Sequence, residues 1–146
     1  MRVVLQRVRR ASVAVNGDVI AAIGRGLALL VGIGPGDTRD VARLVSDQIV
    51  GLRVFPDDEA KTNRSALDVQ AEVLVVSQLT LYADLTRGRR PGFTNAAPPA
   101  LAAPLVDYLG DLIQARGLRV VRGRFGVEMI VAIENDGPMT IVLARD

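Results

Sequence analysis

Two short polar stretches follow apolar segments of this chain, and the first carries side chains that could do chemistry. Ser77-Gln78-Leu79-Thr80 comes directly after the apolar run 73–76. Two hydroxyls and an amide at the end of a strand often serve only to cap or pair the backbone. The same groups, with the backbone around them, are also this chain's candidates for catalysis. Both interpretations are open from these four residues alone.

Composition limits the chemistry that such a site can use. The chain has no histidine and no cysteine in 146 residues, which excludes Ser-His-Asp and Cys-His catalysis, imidazole or thiolate metal sites, and disulfides. The acidic run Asp57-Asp58-Glu59 has the composition of a solvated loop. No glycine-rich turn has the spacing of a dinucleotide-binding or phosphate-binding loop. Any hydrolysis must therefore depend on hydroxyl, amide and backbone groups.

The second polar stretch, Asn135-Asp136-Gly137-Pro138-Met139-Thr140, separates the apolar runs 129–133 and 141–143. Both runs predict short buried strands. Asp-Gly between two such strands favours an ordinary hairpin turn. Pro138 adds a second interpretation, because it fixes its own φ, donates no N–H and makes a cis bond with Gly137 accessible.

The remaining pattern predicts an α+β fold in one domain, 1–146. Apolar residues recur three and four apart after a cap at Asp37 or Thr38, and again over 99–116, which predicts two helices. Further strands are expected at 2–8, 12–15, 19–23, 27–33, 73–76 and 118–121. We therefore expect layered, mainly antiparallel β-sheets with two helices.

Two features bear on location and partners. No apolar run approaches the roughly 20 residues that cross a bilayer, and the strand-like segment 2–8 leaves no room for a signal peptide; with no cysteine, this predicts a cytoplasmic protein without membrane contact. The long irregular segment 82–99 carries Arg87, Arg89 and Arg90. Loops of that length in a small domain are usually functional or mobile.

Taken together, these stretches closely resemble the D-aminoacyl-tRNA deacylases over essentially the whole chain. The family's two signatures, a Ser-Gln-x-Thr strand end and an Asn-x-Gly-Pro-x-Thr turn, are intact at 77–80 and 135–140. The chain departs from the family pattern at Leu79, which is usually phenylalanine, and at Val127-Glu128, which is usually Ala-Asp. Other matching segments are Gln6-Arg7-Val8, Ala11-Ser12-Val13, Leu81-Tyr82-Ala83-Asp84, Gly88-Arg89-Arg90-Pro91, Asn95-Ala96-Ala97-Pro98-Pro99, and Phe125-Gly126 with Met129.

The resemblance implies a hydrolase that cleaves the ester bond of D-aminoacyl-tRNA, and of glycyl-tRNA mischarged on tRNA(Ala), without a cofactor or a metal. It implies a homodimer with sites at the subunit interface, where a cis Gly137–Pro138 bond of one subunit holds the substrate's α-amino group in the partner's site and rejects L-amino acids. The partner molecule is the 3′-terminal adenosine of an aminoacylated tRNA, and the loop arginines are candidates for phosphate contacts. The implied catalytic residues are Ser77, Gln78, Leu79 and Thr80, and the implied substrate-binding residues are Gly137, Pro138, Phe125, Met129 and Asn135.

Several alternatives stay open at this stage. The proton acceptor is either the substrate's own 2′-hydroxyl or a base that activates Thr80 as a nucleophile, and the motif offers no such base. A non-catalytic tRNA-binding module and a purely structural dimer are the alternative functions. The preferred D-amino acid, the dimer affinity and the effect of Leu79, Val127 and Glu128 on preference are also open.

Overall fold

The chain folds into eight strands and three helices. The strands are mostly apolar and β-branched, and the two long helices are amphipathic. The computed structural model describes all 146 residues. The elements in chain order are β1 (Arg2–Val15), β2 (Asp18–Ile23), β3 (Gly26–Gly32), α1 (Arg39–Gly51), β4 (Phe55–Pro56), β5 (Thr62–Arg64), α2 (Ala66–Val69), β6 (Glu72–Ser77), a 3₁₀ turn (Leu79–Tyr82), α3 (Pro99–Ala115), β7 (Val120–Arg122) and β8 (Ile130–Ala144). The predicted α+β class is confirmed.

Six strands form one sheet in the order β2-β1-β3-β6-β7, and β8 pairs with β1. Strand β1 is antiparallel to β2, β3 and β8. Strand β6 runs parallel to β3 and β7, so the sheet is mixed rather than purely antiparallel. Parallel neighbours need a crossover connection, and α1 and α3 lie in the two crossovers that lead into and out of β6.

Two predicted strand boundaries are wrong, because long-range pairing overrides local breaks. The segments 2–8 and 12–15 are one strand, β1, whose Arg10 pairs with Glu134 of β8 and extends its side chain to solvent. The segments 129–133 and 141–143 likewise belong to one strand, β8, which stays antiparallel to β1 along its whole length. The hairpin interpretation of 135–140 is therefore wrong.

The 135–140 stretch forms a bulge within β8. Thr140 pairs with Gln6 and Asn135 pairs with Val8, so β8 uses five residue steps where β1 uses two. The extra residues are not paired with β1 and form a bulge, which bends the strand and changes the direction of its backbone. The expectation that both flanking runs are buried is also wrong in part, since Ile130 is 72% exposed and Val142 is 69% exposed.

The centre of the sheet is covered on both faces, as the unbroken apolar run 27–33 predicts. Leu27 and Leu29 of β3, with Val73 of β6, pack against α1 and α3 in the larger apolar cluster. Ala28 of β3 and Leu74 of β6 face the opposite way, into a second cluster with residues of β1, β2 and β8. The sheet is therefore curved so that one of its faces packs against other strands of the same sheet, and the helices cover the other face.

Local signals place the two long helices correctly. Thr38 accepts a hydrogen bond from the Val41 N–H at the start of α1, and Gly117, with a φ of 95°, follows the end of α3. The short helix α2 was not predicted, although Ser65 and Asp68 form a capping box there. No helix in the structure is both long and apolar enough to span a bilayer.

Candidate functional site

The C-terminal end of β6 opens into a cavity of about 470 Å³. Strand β6 runs buried through the sheet, and its last residue, Ser77, is the first polar residue to reach the cavity. The walls come from the end of β3, the 3₁₀ turn, the start of α3 and the segment before β8. The lining residues are Ile33, Val76, Ser77, Gln78, Leu79, Thr80, Ala97, Pro99, Ala102, Phe125, Gly126, Val127, Met129 and Val131.

The backbone after Ser77 leaves the sheet and forms the 3₁₀ turn. The Gln78 N–H still donates to the Val31 carbonyl of β3 at 2.7 Å, so it is not available to a ligand. The amides of Leu79 and Thr80 come next and begin the turn, where N–H groups have no partner within the helix. These two amides are the backbone donors that this part of the cavity can offer to an oxyanion.

Gln78 and Thr80 contact each other through their side chains. The Gln78 Nε2 donates a hydrogen bond to the Thr80 Oγ1. A hydroxyl oxygen that accepts a hydrogen bond is a weaker nucleophile than a free one, and activation would require a base to remove its proton. None of the residues that line the cavity carries an ionisable side chain. The arrangement suits positioning and charge stabilisation rather than covalent catalysis by Thr80.

Phe125 and Met129 also line the cavity. The Arg124 N–H donates to the Met129 sulfur at 3.4 Å. A Cβ on Gly123 would lie 2.9 Å from that sulfur, so the backbone and the Met129 side chain approach closely there. These contacts hold the thioether against the backbone of 123–124. The structure therefore brings Phe125 and Met129 into one cavity with the 77–80 stretch.

The structure does not bring Gly137, Pro138 or Asn135 into the same cavity of this chain. Gly137 and Pro138 are exposed on the bulge of β8, and the bond between them is cis. Asn135 shapes the bulge through two bonds: its Oδ1 accepts from the Met139 N–H at 2.7 Å, and its Nδ2 donates to the Thr140 Oγ1 at 2.8 Å. Asn135 therefore supports the bulge and does not line the cavity.

Arg7 is a residue of this region that sequence reasoning did not assign to the site. Its side chain is only 12% exposed. The Nε donates to the Asp136 carbonyl at 2.9 Å, and Nη1 donates to the Val54 carbonyl at 2.6 Å. Arg7 thus ties the bulge to the body of the protein. Its place in the matched segment 6–8 was the only signal in the sequence that could have pointed to it.

The three arginines of the 82–99 loop are exposed, as expected for a solvent-facing segment. None of Arg87, Arg89 and Arg90 forms an ion pair within the chain, and each therefore presents a free positive charge. Phe93 of the same loop is 43% exposed. The loop starts at the 3₁₀ turn and ends at Ala97 and Pro99, both of which line the cavity.

Comparison with known proteins places this chain in a family. Residues 4–144 match the model of the family described as D-Tyr-tRNA(Tyr) deacylase. The chain belongs to this family. It is 56% identical to a D-aminoacyl-tRNA deacylase of Roseiflexus castenholzii, over 98% of this chain and 91% of that relative. It is 52% identical to one of Chloroflexus aurantiacus, over 98% of this chain and 89% of that relative.

Solved structures show the same fold. A protein named c-Myc DNA Unwinding Element Binding Protein is 39% identical and superimposes with a TM-score of 0.93, over 100% of this chain and 99% of the other. A probable eukaryotic D-amino acid tRNA deacylase, 20% identical, shares the fold with a TM-score of 0.84 over 97% of both chains. The predicted family and the predicted enzyme class, a hydrolase, are confirmed.

Proposed function

We propose that this chain, acting as one domain over residues 1–146 in the cytoplasm, hydrolyses the ester that joins a D-amino acid to the terminal adenosine of tRNA. The cavity at the end of β6 carries this proposal, because it combines free backbone donors with apolar walls and no ionisable side chain. An aminoacyl ester is already activated, so positioning and stabilisation of the oxyanion supply most of what its hydrolysis needs. The relatives named D-aminoacyl-tRNA deacylase support the substrate class.

The reaction begins when water attacks the ester carbonyl carbon. The negative charge that develops on the carbonyl oxygen is stabilised by the amides of Leu79 and Thr80. The water proton passes to the substrate's 2′-hydroxyl, which relays a proton to the neighbouring 3′-oxygen as the C–O bond breaks. The products are the free amino acid and tRNA. Because the cavity offers no general base, this RNA-assisted route accounts for the proton better than nucleophilic attack by Thr80 does.

The exposed bulge at Gly137 and Pro138 is the basis of the selectivity for D-amino acids in this proposal. We place it in the cavity of a second copy of the chain, in a homodimer with sites at the subunit interface. Ile130 and Val142, which lie on either side of the bulge along β8, are exposed apolar residues of the kind that such a contact would cover. Backbone carbonyls of the bulge would then hold the substrate's α-amino group.

Selection follows from the rigidity of the bulge. A D-amino acid can present its amino group to the bulge while its side chain points out of the cavity. An L-amino acid in the same pose would direct its side chain into the bulge, and the clash excludes it. Glycine has no side chain to clash, so glycyl-tRNA mischarged on tRNA(Ala) is also a substrate in this proposal.

A single assay tests the proposed function. D-tyrosyl-tRNA and L-tyrosyl-tRNA are incubated with the protein at equal concentrations, and the released amino acid is measured over time. We expect rapid hydrolysis of the D-ester and background hydrolysis of the L-ester. Binding of both tRNAs without hydrolysis of either would instead support the non-catalytic tRNA-binding module, for which the unpaired loop arginines are the specific observation. Hydrolysis of both at one rate would remove the chiral function.

A further inference from the structure

Arg2, at the start of β1, directs its side chain to the 3₁₀ turn that borders the cavity. Its Nη1 donates to the Leu81 carbonyl at 2.8 Å. Its guanidinium carbon lies 4.3 Å from the centre of the Tyr82 ring, within the range of a cation–π contact. Arg2 forms no ion pair with a carboxylate, unlike many other arginines of this chain. The contacts that the structure shows for its guanidinium are therefore with the turn.

The turn also packs closely against the backbone of β3 and of the residues that follow it. A Cβ on Gly32 would lie 3.0 Å from the Gln78 carbonyl oxygen and 3.0 Å from the Leu81 Cβ. A Cβ on Gly34 would lie 2.9 Å from the Tyr82 ring. Glycine at both positions lets the turn approach this closely. Arg2 and Gly32 are paired on β1 and β3, so the turn is contacted by the Arg2 guanidinium and, beside it, by glycine backbone at the end of β3.

Tyr82 contributes to this arrangement through its ring. The residue is only 7% exposed, and its hydroxyl has no hydrogen-bond partner. Burial, reinforced by the negative charge of Asp37, raises the pKa of Tyr82 to about 12, so the hydroxyl stays neutral at physiological pH. The neutral ring is in close contact with both the Arg2 guanidinium and the Gly34 backbone.

We propose that Arg2 is a positioning residue for ester hydrolysis, which fixes the turn so that the Leu79 and Thr80 amides meet the developing oxyanion. This inference rests on the proposed function. Donors stabilise an oxyanion only at about 2.7–3.1 Å from the position that it will occupy. An error of about 1 Å in such a position can cost on the order of 10²-fold in rate. Arg2 acts one to three residues away from these amides, through the Leu81 carbonyl and the Tyr82 ring.

The test compares Arg2→Ala and Arg2→Lys with the wild-type protein on D-tyrosyl-tRNA. We expect Arg2→Ala to lower kcat by roughly 10-fold to 100-fold, with KM nearly unchanged, because the affected donors act mainly in the transition state. Arg2→Lys keeps the charge but lacks the planar fork that can stack and donate at once. It should therefore recover only part of the lost kcat. Arg39→Ala is the matched control, since Arg39 stacks on Tyr108 at 4.6 Å and lies outside the cavity lining.

The outcomes separate this inference from the proposed function. A wild-type protein that does not hydrolyse D-tyrosyl-tRNA refutes the proposed function before any variant is measured. An active wild type with Arg2 variants of unchanged kcat, or with a raised KM alone, overturns the role of Arg2. Thermal unfolding of all three variants shows whether each is folded at the assay temperature. If Arg2→Ala does not fold, Arg2→Lys decides: a lower kcat at constant KM supports the role, and wild-type kinetics overturn it.

Discussion

Gly137 has a φ of 133°, which side chains of L-residues rarely allow, and a Cβ there would lie 2.8 Å from the Arg7 Nη2. We expect Gly137→Ala to distort the bulge and lower kcat/KM for D-tyrosyl-tRNA by about 10²-fold or more, as expected when a binding group moves by about 1 Å. Gly36→Ala is the matched control, because no atom lies within 4 Å of its Cβ position. Equal activity of the two variants would show that the bulge does not contact substrate.

Thr80 lies beside the proposed oxyanion site, and its role can be separated from that of the RNA. If the 2′-hydroxyl assists, Thr80→Ala should keep much of its single-turnover rate, since Thr80 only positions neighbouring groups. A substrate ending in 2′-deoxyadenosine, with the amino acid on the 3′-oxygen, should react about 10²–10⁴-fold more slowly, the usual effect of losing a proton-transfer group. Both rates are measured under one set of conditions. An inactive Thr80→Ala with a fully reactive deoxy substrate would favour nucleophilic attack by Thr80.

At the scale of elements, Glu72 ties the start of β6 to its neighbours. Its carboxylate accepts from the Gly24 N–H at 2.7 Å and from Arg119 Nη1 at 2.6 Å. The Gly24 bond is the main reason that the pKa of Glu72 is lowered from its ordinary value of 4.5, and burial opposes it. Because the folded pKa is depressed, this contribution to stability is complete above pH 4.5 and is lost as the pH falls through the folded value.

In Glu72→Gln, the free energy of unfolding should therefore depend less on pH in the acid range than it does in the wild type. Between pH 4.5 and the lower folded pKa, the wild-type free energy of unfolding should fall more steeply than that of the variant. The measurement is urea unfolding at a series of pH values. Glu128→Gln, at an exposed position with no ion pair, is the control and should keep the wild-type slope. Parallel curves for wild type and Glu72→Gln would contradict the prediction.

The 82–99 loop is the element proposed to contact the tRNA backbone. Replacing Arg87, Arg89 and Arg90 with glutamine should weaken tRNA binding, and each lost phosphate contact should reduce the slope of log K against log salt by about 0.7–0.9. Binding is measured at several salt concentrations. The control is a variant in which Arg39, Arg43 and Arg116 are replaced in the same way. It changes the net charge by the same amount as the loop variant, but at sites outside the loop. If both triple variants show the same slope, the loop makes no specific contact.

At the scale of the whole molecule, the cavity and the bulge belong to different parts of one chain, which suggests a test in trans. Ala102→Phe fills the cavity with a ring, and Gly137→Ala distorts the bulge; each variant alone should be inactive. In a homodimer with shared sites, a mixed dimer contains one intact cavity facing one intact bulge. Co-folded variants should recover about a quarter of the wild-type rate, since random pairing makes half of the dimers mixed and each holds one complete site. A mixture as inactive as its components would contradict the shared site.

The sequence alone determined the chemistry that this protein can use and the local elements that present it. The absence of histidine excluded the usual hydrolytic machinery. The spacing within 77–80 and 135–140 identified the family, which the comparison confirmed. Helices α1 and α3 were predictable because their apolar periodicity, the Thr38 cap of α1 and the proline at the start of α3 are local signals. Such local features do not depend on distant parts of the chain.

Only the tertiary structure decided how these parts are arranged. The 135–140 stretch is a bulge and not a hairpin because β8 pairs with β1 on both sides of it, through contacts between residues at least 116 positions apart. The cavity exists because β6 ends where α3 and the segment 125–129 meet it. Arg2 and Arg7 acquire their roles through hydrogen bonds to distant carbonyls. Periodicity and turn propensity report neighbours along the chain, so neither can specify register, burial or contact between such distant segments.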